Sequence, residues 1–311
     1  MNFRSYNDLA HLVKQQTPHL PQDIGLVVYV PRSGIIPATQ IALQRNIALI
    51  PLQDFLAGAA DTASFSHRNR RLVQRKKLRV LVVDDSFGDG TTLKKVQSSI
   101  ANARLNEIFD IEYLCVYWSG VDAPGLTYWW EKLARPRLFE WNIFHHKGVG
   151  HMCFDIDGVL CCDPSSNEND DGKKYQRFIE TAWPQIIPTH KVGWLVTSRL
   201  EKYRTATEDW LATHNITYDH LIMWDGISAE TRRIVGQHGR FKGQVYRDCS
   251  AELFVESESH QAYDIAQVSG KPALCTDNMT LYQPDMNQTH HYINEGKSLA
   301  RRIAKSILRI R

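Results

Sequence analysis

The chain has 311 residues, 43% of them hydrophobic, and its 37 basic and 34 acidic residues leave a formal charge of +3. That length points to two domains with a core each, and the near-balance of charge gives no ground for a nucleic-acid partner. No apolar run approaches the roughly 18 residues of a membrane span, and the opening Met-Asn-Phe-Arg-Ser-Tyr lacks the apolar stretch of a signal peptide.

The first half alternates strands and helices. Residues 24–30 form an apolar strand, Pro31-Arg32-Ser33-Gly34 a loop, and 35–43 a helix. Strands follow at 47–51, 78–84 and 111–118, with a helix at 92–103. Strand, helix and strand in this order predict an α/β fold with a parallel sheet and crossover helices. Residues 52–77 show no clean period and become basic at 67–77; an irregular stretch of this length in a compact domain reads as a functional lid or an insertion. Residues 129–150 read as a connection, and their pair His145 and His146 as an ordinary surface or interface pair. A second α/β domain follows, with strands at 152–154, 192–196, 221–224, 251–255 and 271–275 and helices at 203–215 and 261–269. The expected domains are 1–145 and 146–311. Cys115, Cys153, Cys161, Cys162, Cys249 and Cys275 contain no Cys-x-x-Cys pair and read as reduced core thiols of a cytoplasmic protein.

The segment at 80–93 reads Val-Leu-Val-Val-Asp-Asp-Ser-Phe-Gly-Asp-Gly-Thr-Thr-Leu. A strand running into a Gly/Thr loop and a helix start turns several backbone N–H groups toward one point, which suits a phosphate. It is neither a Walker loop, lacking Gly-Lys-Ser/Thr, nor a dinucleotide fingerprint, having acids where that needs glycine. It resembles the 5-phosphoribosyl diphosphate (PRPP) motif of type I phosphoribosyltransferases. The resemblance implies that Asp84 and Asp85 hold the ribose hydroxyls and that Gly88, Asp89, Gly90, Thr91 and Thr92 wrap the 5-phosphate. Asp89 departs from the small or hydroxyl residues common there. Facing a phosphate it would repel it, so it points away, bridges through a cation, or acts on the acceptor as general base. The loop Arg32, Ser33 and Gly34, some fifty residues upstream as in that family, is expected to hold the diphosphate. The basic residues at 67–77 fit a loop closing over it, or a solvated face.

Phe154-Asp155-Ile156-Asp157-Gly158-Val159-Leu160 resembles the first motif of the haloacid dehalogenase-like (HAD) phosphatases. The resemblance makes Asp155 the nucleophile and Asp157 the acid/base. It also makes Thr197, with Ser198 beside it, and Lys242 the phosphoryl-binding residues. Mg²⁺ is expected on Asp155, Asp157, Glu256 and Glu258, glutamates standing where the family uses aspartates. Only 42 positions separate Asp155 from Thr197 and 45 separate Thr197 from Lys242, so the cap is expected to be minimal and the site open.

Together these motifs imply two Rossmann-like domains, a type I phosphoribosyltransferase fold and a HAD-like fold, that transfer 5-phosphoribose and then remove its phosphate. The pair resembles the modules that build ribofuranose into bacterial O-antigens and capsules. That implies a glycan hydroxyl as acceptor, a β-ribofuranoside as product and other glycosyltransferases of the same pathway as partners. Residues 294–311 are amphipathic and basic, fitting either a packed terminal helix or peripheral contact with the inner membrane face beside a lipid-linked glycan. Two other readings stand beside this: phosphoribosylation of a nucleobase-like molecule followed by dephosphorylation to a nucleoside, and a PRPP-sensing regulator with an inactive phosphatase domain.

Overall fold

The computed structural model describes residues 1–59, 77–225 and 237–287. The segment 294–311, and the basic stretch 67–77 apart from Lys77, lie outside the described residues. The chain divides into two compact units, Met1–Trp141 and Asn142–Arg311.

In the first unit, β1 (Asn2–Arg4) pairs in parallel with β7 (Arg137–Phe139) as a two-stranded ribbon. The main sheet holds β2 (Ile24–Tyr29), β3 (Ala48–Pro51), β4 (Arg79–Phe87), β5 (Asp110–Trp118) and β6 (Tyr128–Lys132), all parallel, in the order β3-β2-β4-β5-β6. Helices α1 (Tyr6–Gln16) and α2 (Ile35–Arg45) cover one face, where Leu9, Val13, Ala38 and Ile41 pack on Val27, Leu81 and Val83. The short α3 (Leu52–Leu56) and α4 (Thr91–Asn102) cover the other, where Phe55, Leu93, Val96 and Ile100 meet Val28, Val80 and Val82. Burial on both faces explains why β2 and β4 are continuous apolar runs rather than alternating ones. Ser5 and Asp8 form a reciprocal capping box that starts α1. From β2 the chain winds one way to β3, then returns to build β4 and β5 on the other side. The reversal opens a crevice at the carboxyl ends of β2 and β4, where parallel sheets of this kind bind ligands.

The expected connection at 129–150 contains structure instead. Tyr128–Lys132 is the fifth strand of the sheet and Arg137–Phe139 holds the N-terminal strand. Both are short edge elements, and Tyr-Trp-Trp-Glu-Lys carries no period-2 alternation by which to recognise one.

In the second unit, β8 (Met152–Phe154), β9 (Val192–Leu200), β10 (Tyr218–Trp224), β11 (Leu253–Glu256), β12 (Ala273–Cys275) and β13 (Thr280–Tyr282) are ordered β10-β9-β8-β11-β12-β13. All neighbours are parallel except β13, antiparallel to β12. Here too the winding reverses, between β8 and β11. Helix α5 (Lys173–Thr181) follows the polar loop, placing Tyr175, Phe178 and Ile179 inward. Helix α6 (Arg204–Thr213) buries Trp210 and Leu211. Helices α7 (Gln237–Asp248) and α8 (Ser259–Ser269) pack closely: a Cβ on Gly239 would lie 2.7 Å from Asp264 Cβ, and one on Gly243 2.8 Å from Val268 Cβ. The two glycines lower the helix signal of this stretch and at the same time permit the contact. Among the described residues no helix is long and apolar enough to cross a membrane.

Candidate functional site

Two groups of polar residues sit at the two reversal points. In the first unit, Val30 donates its N–H to Val83 O at 2.9 Å, drawing the loop after β2 onto β4. A Cβ on Gly34 would lie 2.8 Å from Val83 O and closer still to Val30 O, so only glycine fits where the loop turns into α2. The Pro31–Arg32 peptide is cis. Ser33 Oγ donates to Asp85 Oδ1 at 2.6 Å, and the Trp141 indole donates to Asp85 Oδ2 at 2.9 Å. Asp85 N donates to Asp84 Oδ1 at 2.9 Å. Both acids are buried, 6% and 4% exposed. Burial, with the adjacent Asp85 charge, pushes the Asp84 carboxyl well above the usual range.

The loop that follows turns at Gly90, whose φ of +81° makes glycine the natural N-cap of α4. Thr91 and Thr92 stand exposed on the first turn. Ser119 Oγ donates to Gly88 O at 2.6 Å and fixes the near side of the loop. Asp89 is exposed, and its Oδ1 accepts the Thr91 N–H at 3.0 Å. That hydrogen bond holds its carboxyl below the ordinary value. Asp89 therefore acts here as a local cap that occupies one of the loop's amide donors. The structure thus brings Ser33, Gly34, Asp84 and Asp85 together, with the 88–92 loop continuous with them. Arg32 is exposed beside Ser33. Trp141 escaped the sequence reading, because no pattern connects residues 56 positions apart.

In the second unit, Asp155 follows β8 directly, and its N–H donates to Val255 O at 3.0 Å. The fully buried Lys242 ammonium, delivered by α7, donates to Asp155 Oδ2 at 2.6 Å, Glu256 Oε2 at 2.7 Å and Gln261 Oε1 at 2.8 Å. Burial alone would strip its proton; the two carboxylates hold it charged, above the ordinary lysine value. Burial pushes the Asp155 carboxyl up to about 7 in spite of that ammonium. Gly158 turns the following loop at φ +77°.

Asp157 faces a different cation. The Arg199 guanidinium reaches Asp157 Oδ1 at 2.6 Å through Nη2 and at 3.2 Å through Nε. Tyr175 Oη donates to Asp157 Oδ2 at 3.0 Å. Burial would raise the Asp157 carboxyl, but Arg199 holds it below the usual carboxylate range. Arg199 was not singled out from the sequence. The available signal was strand alternation, since two positions after Thr197 on β9 it shares that residue's face. Thr197 is buried, its Oγ1 accepting the Arg199 N–H at 3.3 Å, and Ser198 borders the same cavity. That cavity, about 290 Å³, is also walled by Asp163, Pro164 and Tyr175 from the loop and helix after β8 and by His238 and His260.

The four acids expected to share Mg²⁺ do not form one donor set. Asp155 and Glu256 converge on Lys242, Asp157 on Arg199, and Glu258 accepts from Gln261 Nε2 at 2.8 Å and faces His260. Among the described residues no group of three or more His, Cys, Asp or Glu is arranged to hold a metal. Lys242 takes one oxygen each of Asp155 and Glu256, while their other oxygens accept backbone N–H groups from Ile156 and from Ser257 and Glu258.

No family profile matches the chain, and no curated protein matches it. Solved structures resemble part of it. The purine phosphoribosyltransferase of Pyrococcus horikoshii is 15% identical, with 45% of this chain and 92% of that one covered and a TM-score of 0.33. The xanthine-guanine-hypoxanthine phosphoribosyltransferase of Helicobacter pylori is 12% identical over 46% of this chain and 92% of its own, with a TM-score of 0.34. A hypoxanthine phosphoribosyltransferase of Staphylococcus aureus is 13% identical over 42% and 76%, with a TM-score of 0.28.

Proposed function

We propose that the chain is a two-site enzyme that transfers 5-phosphoribose from PRPP to an acceptor hydroxyl and then hydrolyses the 5-phosphate. The reading rests above all on one observation: each of two separate, largely parallel sheets carries its motif carboxylates at its own winding reversal, with Ser33 bonded to Asp85 in one and Lys242 to Asp155 in the other. In the first step the C1–O bond to diphosphate breaks, the acceptor oxygen bonds to C1, and the hydroxyl proton leaves to a base. Positive charge grows on the ribose ring, which the buried Asp84 and Asp85 tolerate beneath its hydroxyls, while Arg32 and the amides around Ser33 and Gly34 take the diphosphate. The exposed Thr91 and Thr92 and the amides at the start of α4 receive the 5-phosphate.

In the second step Asp155 attacks phosphorus, forming an aspartyl-phosphate as the bond from phosphorus to the ribosyl oxygen breaks, and that oxygen takes a proton from water in the open cavity. Lys242 and Thr197 meet the phosphoryl oxygens. Asp157, kept ionised by Arg199, accepts a proton from the water that hydrolyses the intermediate. Hydrolysis also makes the transfer irreversible. We favour a glycan hydroxyl as the acceptor, because the short gaps between Asp155, Thr197 and Lys242 leave no room for a large cap over a bulky product. Substitution with inversion at the α-configured donor carbon gives a β-ribofuranoside.

Mass spectrometry of reactions with PRPP and candidate glycans tests this. The native chain adds a pentose, and Asp155→Asn stalls at a phosphopentose. Turnover with nucleobases and none with glycans would overturn the acceptor assignment. PRPP binding without any addition would overturn the transfer itself.

A further inference from the structure

The segment after β6 lies directly on the phosphate loop. Leu133 N donates to Trp118 O at 2.7 Å, Asn2 Nδ2 to Ala134 O at 2.9 Å and Asn2 N to Pro136 O at 2.9 Å. Arg137 then reaches across the sheet end, its guanidinium donating to Phe87 O and to Tyr117 O. Residues 133–137 are thus pinned from both sides, by the β1–β7 ribbon and by the carboxyl ends of β4 and β5. Arg135 sits at the middle of this strap. A Cβ placed on Gly88 would lie 2.6 Å from Arg135 Nη2, so the guanidinium rests against the bare backbone of the loop. The side chain is exposed and, among the described residues, has no hydrogen-bond or ion-pair partner. Its charge also acts on Asp89, the acid that stands in the loop against the expected phosphate.

We infer that Arg135 is a phosphate-binding residue of the 88–92 loop, supplying from the strap the cation that this loop lacks in its own sequence. The inference rests on the proposed PRPP site and deepens it. A phosphate dianion on the loop would meet the amides and helix dipole of α4 on one side and a guanidinium fork on the other. The same cation offsets the repulsion of Asp89, which explains how an acid is tolerated there. Glycine at position 88 then has a specific reason: a methyl group would displace the guanidinium, not the fold.

Isothermal titration of the full chain with PRPP, ribose 5-phosphate and inorganic pyrophosphate tests this, with melting temperature as the control for folding. Arg135→Ala is expected to weaken PRPP and ribose 5-phosphate by at least about tenfold, the loss of one charge-assisted contact, and to leave pyrophosphate unchanged. Arg135→Lys retains part of the affinity. Gly88→Ala keeps the melting temperature, because the atom in the way is the end of a flexible side chain, and weakens the same two ligands. Native binding by Arg135→Ala would overturn the inference and leave the proposed function standing. Equal weakening of pyrophosphate would overturn the assignment to the 5-phosphate. A native chain that binds neither PRPP nor ribose 5-phosphate would overturn both readings.

Discussion

Ser33 Oγ donates to Asp85 Oδ1 at 2.6 Å, joining the loop after β2 to the acid near the end of β4 across 52 positions of sequence. With the Trp141 indole on the other oxygen, the Asp85 carboxylate is gripped from two sides and faces one direction. A hydrogen bond to a charged group contributes about 1.5–3 kcal/mol. Trp141→Phe keeps much of the stacking on Phe139, whose ring lies 4.9 Å away, and removes only the donor. PRPP affinity is expected to fall by roughly tenfold or more. Because Ser33 and Trp141 hold one carboxylate, adding Ser33→Ala should give less than the sum of the two losses. Calorimetric titration reads both effects; unchanged affinity in Trp141→Phe would show that the indole does not orient Asp85.

Gly34, at the winding reversal, has no room for a side chain. An alanine Cβ there would meet the main-chain oxygens of Val30, directly after β2, and of Val83 in β4, and backbone atoms cannot swing aside as a flexible side chain can. Gly34→Ala should therefore cost about 1–3 kcal/mol through overpacking and loosen the Val30–Val83 hydrogen bond. Hydrogen exchange on peptides spanning residues 24–36 and 79–87 would show faster exchange there. Native protection would mean that the loop relaxes at no cost.

Much of this was legible in the sequence, and the reasons differ by element. The buried strands β2, β4, β5 and β9 announce themselves because both faces are apolar, and the acids stand out by interrupting those runs. Asp155 and Glu256 both accept from Lys242. What escaped were residues whose role depends on distant chain. Trp141 and Arg137 act on strands far behind them in sequence, and β6 and β7 are edge elements without a hydrophobic period. Glycines 239 and 243 conceal α7 although they are what lets it dock. The acids were legible, but their ion pairs were not, because the buried cations Lys242 and Arg199 that meet them belong to other elements.

Arg199 is the most deeply buried of those cations, its side chain wholly inaccessible while Asp157 is 18% exposed. Removing one partner of a buried pair costs about 3–5 kcal/mol, because the other charge is left uncompensated. Arg199→Met should thus destabilise the region around β8 and β9, seen as faster hydrogen exchange in residues 152–160 and 192–200. Adding Asp157→Asn should recover part of the loss, since the stranded charge is then gone. A double variant no more protected than the single one would refute the pairing as the cause.

Cys249 offers a test that is independent of either proposed reaction. It lies just past α7, half-buried, with its sulfur 3.7 Å from that of Cys153. The hydrogen bond shared with Cys153, helped by the nearby Lys271 charge, draws the Cys249 thiol down to about 6 against the effect of burial. Alkylation follows the thiolate fraction. Labelling of Cys249 by iodoacetamide should accordingly be slow at pH 5, rise with a midpoint near 6 and level off above pH 7, where an ordinary thiol of pKa about 8.5 is still climbing. Cys115, Cys153 and Cys161, buried and pushed upward, should stay unlabelled in the folded chain. Cys153→Ala removes the largest cause of the depression and should move the midpoint up. Peptide mass mapping across a pH series measures each site; a Cys249 midpoint of 8 or higher in the native chain would mean that the two sulfurs do not share a proton in this way.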